Sequence, residues 1–193
     1  MATVNTNSKI LHIISGDLWA GAEAQAYTLL KHLQPHVQLH VVLMNEGELA
    51  NRLRALNITV TLLPETQLSS FAVLKKLVAL IKELKPDVIH THRQKENILG
   101  CLANVIAFPF ARNRPKSVRT THGAPEFKVS GKQKLQVWLD AFVGKYLQQA
   151  VIAVSDDLAQ KLLATFPANH IHVVHNGVDA IALAANSTAA DFK

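Results

Sequence analysis

The sequence has one cysteine in 193 residues, no long unbroken apolar run, and aromatic residues amounting to only 6% of the chain. A single thiol excludes a disulfide framework or a cysteine metal site within one copy. Cys101 sits in an apolar helical stretch and reads as buried filling rather than a reactive thiol. The most lipid-like segment, residues 101–111, is interrupted by Asn104 and Pro109. It falls well short of the roughly 20 apolar residues that a membrane-spanning helix needs. The opening MATVNTNS has neither a basic start nor an apolar stretch, so no secretory signal is read there and the expected location is the cytoplasm. The few aromatics do not interleave with the basic residues, and nucleic acid is not an expected partner.

Two glycine patterns are also missing. The segment Ser15-Gly16-Asp17-Leu18-Trp19-Ala20-Gly21-Ala22-Glu23 lacks the G-x-G-x-x-G spacing whose glycines let a backbone approach a pyrophosphate. It also lacks a Lys followed by Ser or Thr after Gly21, which a P-loop would use to meet phosphate and magnesium. A nicotinamide-type oxidoreductase and a P-loop kinase or ATPase are therefore disfavoured. A glycine at the mouth of a helix still leaves backbone donors for an anion or a sugar hydroxyl.

What is present is the balance of a compact domain, 49% apolar and 18% charged. Short runs rich in Val, Ile and Leu read as strands over 9–15, 37–44, 58–62, 87–91, 117–121, 150–154 and 171–174. Helical periodicity occupies 22–33, 46–55, 69–84, 94–106, 132–149 and 156–164. Regular alternation of strand and helix predicts right-handed crossovers and an α/β fold: a doubly wound, mainly parallel Rossmann-like sheet with helices on both faces. The expected division is a polar tail over 1–8, the domain over 9–179 and a loosely ordered tail over 180–193.

In such a sheet the ligand lies beyond the carboxyl ends of the strands. Those ends carry Ser15 with Gly16, Asn45, His92, His122 with Gly123, Ser155, and His175 with Asn176. Three histidines and two glycines on one rim favour a binding crevice. His90 and His92, two apart on one strand, are read as pointing to opposite faces and so unable to share an ion, and no metal is expected. Asp156 and Asp157 after Ser155 read as a capped helix start.

The net charge of +6 is concentrated between Arg112 and Lys134. Arg112, Arg114, Lys116, Arg119, Lys128, Lys132 and Lys134 are opposed there only by Glu126, while the rest of the chain balances. Such a cluster gathers anions, either phosphorylated acceptors or acidic headgroups. Apolar residues 105–110 upstream and Leu135, Trp138, Leu139, Phe142, Val143 and Tyr146 downstream turn the reading towards contact with the inner face of an anionic membrane. Leu139, Phe142 and Val143 are expected to face the core. A non-catalytic module that docks on membranes or recruits a partner is the alternative to an enzyme.

Five segments in order, KILHIISGDLWAGAE (9–23), KPDVIHTH (85–92), RTTHG (119–123), AVSDDL (153–158) and VHNGVD (174–179), resemble the amino-terminal domain of family 4 glycosyltransferases of the GT-B fold. The resemblance implies transfer of a sugar from a nucleotide sugar, as co-substrate and with no other cofactor, to a lipid-linked or glycan acceptor of the cell envelope, with retention at the anomeric carbon. It implies that this domain holds the acceptor in a cleft facing a donor-binding domain not in this chain. Gly21 matches the loop that approaches donor phosphate and acceptor, although Ala22 stands where many members have a second glycine. Glu23 matches the acidic residue after that loop, His122 a catalytic-site histidine near the transferring sugar, and Asn176 the start of the interdomain segment. Gly16, His92 and Gly123 complete the expected substrate-binding set.

Overall fold

The structure, a computed structural model, describes residues 7–123 and 131–177, with residues 132 and 133 described as backbone only. Seven strands form one sheet: β1 (Lys9–Ile14), β2 (Gln38–Leu43), β3 (Thr59–Leu62), β4 (Val88–Thr91), β5 (Lys116–Thr121), β6 (Ala150–Ala153) and β7 (Ile171–Val173). Six helices alternate with them: α1 (Gly21–Leu33), α2 (Glu48–Ala55), α3 (Ser70–Leu84), α4 (Gln94–Ala107), α5 (Lys132–Tyr146) and α6 (Asp156–Leu162). All pairings are parallel, in the order β3-β2-β1-β4-β5-β6-β7. The order reverses between β1 and β4, the point where neighbouring crossovers leave in opposite directions and open a crevice.

The expected elements match to within a few residues, for local chemical reasons. Helix α3 starts where the Ser69 hydroxyl accepts from the Ala72 amide at 3.2 Å, and it ends at Lys85, which turns left-handed (φ 46°) just before Pro86. Ser155 caps α6 in the same way, accepting from Leu158.

Strand alternation sorts the core into two layers. Leu11, Ile13, Val42, Met44 and Ile89 face α3 and α4, whereas Ile14, Val41 and Leu43 face α1 and α2. By register Ile13, Thr91, Arg119 and Val151 share one row. Arg119 meets α5 and Val151 meets α6, so these two helices lie on the α3–α4 side. The opposite face carries α1 and α2, over β1 to β3.

At the carboxyl edge Gly16 is left-handed (φ +73°), and a Cβ on Gly47 would fall 2.7 Å from the Gly16 carbonyl oxygen. The loops after β1 and β2 thus touch where only glycine fits. Among the described residues no helix is long and apolar enough to cross a membrane.

Candidate functional site

A cavity of about 770 Å³ opens at the carboxyl edge over the reversal point. The loop after β1 contributes Ser15 and Asp17, the first turn of α1 contributes Ala22, and the end of β4 contributes His92 and Arg93. From β5 and beyond come Arg119, Thr121, His122 and Gly123. Glu65, Lys95 and Glu96 close one flank, and residues of α5 and α6 close the other.

The cavity's first wall is pinned by Arg93, whose guanidinium donates to Asp17 at 3.0 Å and to Glu23 at 2.6 Å. Glu23 is almost fully buried, so its burial is offset by this charge pair. The first turn of α1 has no side-chain cap at Ala20, which leaves amide groups unclaimed beside the cavity among the described residues. Lys95 and Glu65 form a second ion pair.

The floor is a buried polar network. Arg119 donates to Asp140 at 2.6 Å, Asn97 donates to the other Asp140 oxygen at 2.9 Å, and Gln148 and the Thr91 hydroxyl donate to the Asn97 carbonyl. Each charge thus has a partner within hydrogen-bond reach, and α4, α5 and β5 are held in register. Glu96, Arg119 and Thr121 each line the cavity and each keep one buried polar atom without a partner among the described residues. Burial pushes the Glu96 carboxyl up to about 7.

Four imidazoles form a column from the core to the cavity. His12 Nδ1 lies 3.4 Å from His92 Nε2, and His92 Nδ1 lies 3.3 Å from His122 Nε2. His90 stacks on His92 with centroids 4.7 Å apart and bonds to the Thr120 hydroxyl at 2.8 Å. The assumption that His90 and His92 point apart is corrected here: residues i and i+2 of a strand share a face. Nitrogens of His12, His90 and His92 come within 4.8 Å of one another. Burial lowers the basicity of all four rings; His90 drops to about 4, and His12 and His92 fall well below the ordinary histidine value.

The structure brings His92, His122 and Gly123 to the cavity, with Glu23 reaching it through Arg93. Gly21 begins α1 next to Ala22, and Gly16 lies between the lining residues Ser15 and Asp17. Asn176 is exposed and does not line the cavity. It follows β7, four strands from β1, about 19 Å away at ordinary strand spacing.

The basic segment is not one patch. Arg119 must be removed from it, being 6% exposed and paired with Asp140 on the helix-covered face. Arg114 is half-buried and donates to the Phe108 and Pro109 carbonyls. Arg112 and Lys116 are exposed at the amino edge, whereas Lys134 is exposed on the first turn of α5. Lys128, the Lys132 side chain and the tail 180–193 lie outside the described residues. Phe142 does not face the core: it is exposed with Trp138 and Tyr146, while Val143 is buried.

Asp17, Arg93, Glu96 and His12 also belong to the site, although none was expected there. Arg93 had an available signal, since it directly follows His92 at a strand end. His12 had none, because only register places it opposite His90.

The family model described as Glycosyltransferase Family 4 matches residues 19–181. The chain belongs to Glycosyltransferase Family 4. This family 4 domain is 26% identical over 191 residues to the Escherichia coli UDP-Gal:alpha-D-GlcNAc-diphosphoundecaprenol alpha-1,3-galactosyltransferase, covering 93% of this chain and 47% of that protein. Among solved structures it resembles Anabaena Alr3699/HepE in complex with UDP-glucose, with TM-score 0.71, 22% identity, and coverage of 95% of this chain and 50% of that one. A glycosyltransferase from Rickettsia africae gives TM-score 0.69 at 19% identity, covering 91% of this chain and 44% of that one. The chain thus spans about half the length of these relatives. At such identities the structural likeness shows the fold.

Proposed function

We propose that this family 4 domain is the acceptor-side half of a retaining glycosyltransferase that moves a sugar from a nucleotide sugar to a lipid-linked or glycan acceptor, and that it works with a donor-binding domain not in this chain. The observation that carries the reading is the cavity at the sheet's reversal point, where the uncapped start of α1 meets His92 and His122. Free amides at a helix start suit a phosphate oxygen, and neutral imidazoles suit sugar hydroxyls. The E. coli relative's name, a galactosyl transfer from UDP-Gal to a diphosphoundecaprenol-linked sugar, supports the substrate class. HepE was crystallised with UDP and with UDP-glucose, which supports a uridine nucleotide donor. Oriented transfer needs both reactants held and the leaving diphosphate stabilised, so one half of a cleft is not expected to turn over alone.

The test uses UDP-galactose and a lipid-linked GlcNAc diphosphate in detergent. The chain alone should bind the acceptor without transferring sugar, and transfer should appear when a separately produced donor-side domain is added. Robust turnover by the chain alone would overturn the dependence, and no acceptor binding would overturn the acceptor-side assignment.

A second reading, a module that docks on anionic membranes, is favoured by one observation. Trp138, Phe142 and Tyr146 form an exposed, ring-on-ring stripe along α5, flanked by Lys134 and Lys145. The start of α5 borders the cavity through Gln136 and Val137, so the stripe is placed to bring a lipid-borne acceptor to that site. Both readings are compatible in one peripheral enzyme.

A further inference from the structure

We propose that His12 and His92 are positioning residues that hold His122 as a neutral hydrogen-bond donor, with its Nδ1 proton presented to the cavity for an oxygen of the ligand. The inference rests on the proposed function only in taking that ligand to be a sugar or its phosphate.

A neutral imidazole has one N–H and one bare nitrogen. His92 uses both nitrogens, Nε2 towards His12 and Nδ1 towards His122. If one of these contacts is donated by His92, the other must be accepted by it, so the two bonds run in the same direction and only two arrangements exist. Running inward, protons sit on His122 Nε2, His92 Nε2 and His12 Nε2. Running outward, they sit on His12 Nδ1, His92 Nδ1 and His122 Nδ1.

The buried end decides between them. His12 is 0% exposed and its Nε2 has no partner among the described residues. The inward arrangement strands an N–H there, whereas the outward one strands only a lone pair. Orphaned buried donors are the rarer defect in native proteins. The outward arrangement is therefore selected, and His122, whose Nε2 is taken, carries its proton on the remaining nitrogen. Neutrality is supported by the surroundings: burial first, and then the nearby positive charges of Arg93 and Arg119, lower the basicity of His122. A ring in this state donates to a hydroxyl, ring or phosphate oxygen. It has no bare nitrogen facing the cavity with which to take a proton from an acceptor hydroxyl, which excludes a general-base role.

A metal ion does not explain the column better. His12 Nδ1, His90 Nε2 and both His92 nitrogens are already engaged with ring or hydroxyl partners.

The test is a two-bond proton–nitrogen correlation spectrum of the full chain labelled with ¹⁵N-histidine, near neutral pH and without ligand, assigned by single substitutions. The expected pattern is Nδ1–H and bare Nε2 for His12, His92 and His122. His92→Phe keeps a ring in the stack but breaks both hydrogen bonds, and should convert His122 to a mixture of tautomers. His90→Phe removes an equally buried ring outside the hydrogen-bonded chain and should leave His122 unchanged. A proton on His122 Nε2 in the wild-type spectrum, a cationic His122 at neutral pH, or equal effects of the two variants would each overturn the proposal. The wild-type spectrum decides even if a variant does not fold. No turnover is involved, so a failed transfer assay leaves this result standing, and a wrong tautomer leaves the transferase reading standing.

Discussion

At the scale of single residues, burial has set two groups against solvent in opposite directions. Glu96, 2% exposed, has its carboxyl pushed up to about 7 by burial, from an ordinary 4.5. Between those values the folded chain keeps a proton that the unfolded chain releases, so stability falls as pH rises through the window. The loss approaches about 3 kcal/mol by pH 8. His90 behaves in the converse way, its basicity lowered by burial to about 4, so the unfolded chain takes the proton first and stability falls as pH drops from 6.5 towards 4. The two windows overlap between pH 4.5 and 6.5, where the opposed slopes offset one another, so a variant separates them better than the wild-type curve. In urea unfolding Glu96→Gln should gain up to about 3 kcal/mol over the wild type at pH 8 with little change at pH 4.5. No gain at pH 8 would show that Glu96 ionises normally. Cys101 adds nothing in this pH range: burial pushes its thiol up to about 12, so it stays protonated below pH 8, and it packs as a buried residue of α4.

At the scale of elements, α5 depends on a contact that periodicity does not reveal. Gly144 lies in its last turns against Phe166, just after α6, and a Cβ there would fall within the ring edge, 2.8 Å from Cδ1. Phe166 is itself part of the buried cluster with Val151 and Leu162, so it has little room to yield. Gly144→Ala should therefore destabilise by about 1–3 kcal/mol through overpacking. The usual gain of about 0.5–1 kcal/mol for alanine over glycine in a helix opposes this but does not cancel it. Thermal unfolding measures the balance, and a raised melting temperature would show that α5 and Phe166 can separate without cost. The network of Asn97, Asp140, Arg119 and Gln148 holds the same face of the helix one turn earlier, Asp140 and Gly144 being four residues apart. Helical spacing alone would bury Phe142, but the network and Gly144 turn α5 so that Val143 and Asp140 face inward and the aromatic stripe faces out.

At the scale of the whole molecule, the two edges of the sheet carry different surfaces. Arg112 and Lys116 lie at the amino edge, separated from the cavity edge by the length of β5, about 20 Å. Lys134 and Trp138 lie at the cavity end of α5. If membrane contact serves the cavity, the aromatic end should carry it. Sedimentation with anionic vesicles should show at least a tenfold loss of binding for Trp138→Glu with Phe142→Glu, and a smaller loss for Arg112→Glu with Lys116→Glu. Both pairs are exposed, so melting temperatures should hold. Equal binding by all three proteins would remove membrane docking as a property of this domain.

The order of elements, the parallel sheet and the carboxyl-edge rim could all be read in the sequence, because they follow from short apolar runs, helical periodicity and breakers such as Pro86 at the boundaries. The family was legible too, in five short segments placed at strand ends. Register and side-chain direction were not. Only the paired strands place His12 beside His90, join His92 to His122, and send Arg119 inward to Asp140 instead of out to a basic patch. Local chemistry sets which residues begin and end an element, whereas contacts between residues tens of positions apart depend on how the layers close over one another. Here that closure turned a row of histidines into a connected column and divided one run of positive charge into unrelated parts.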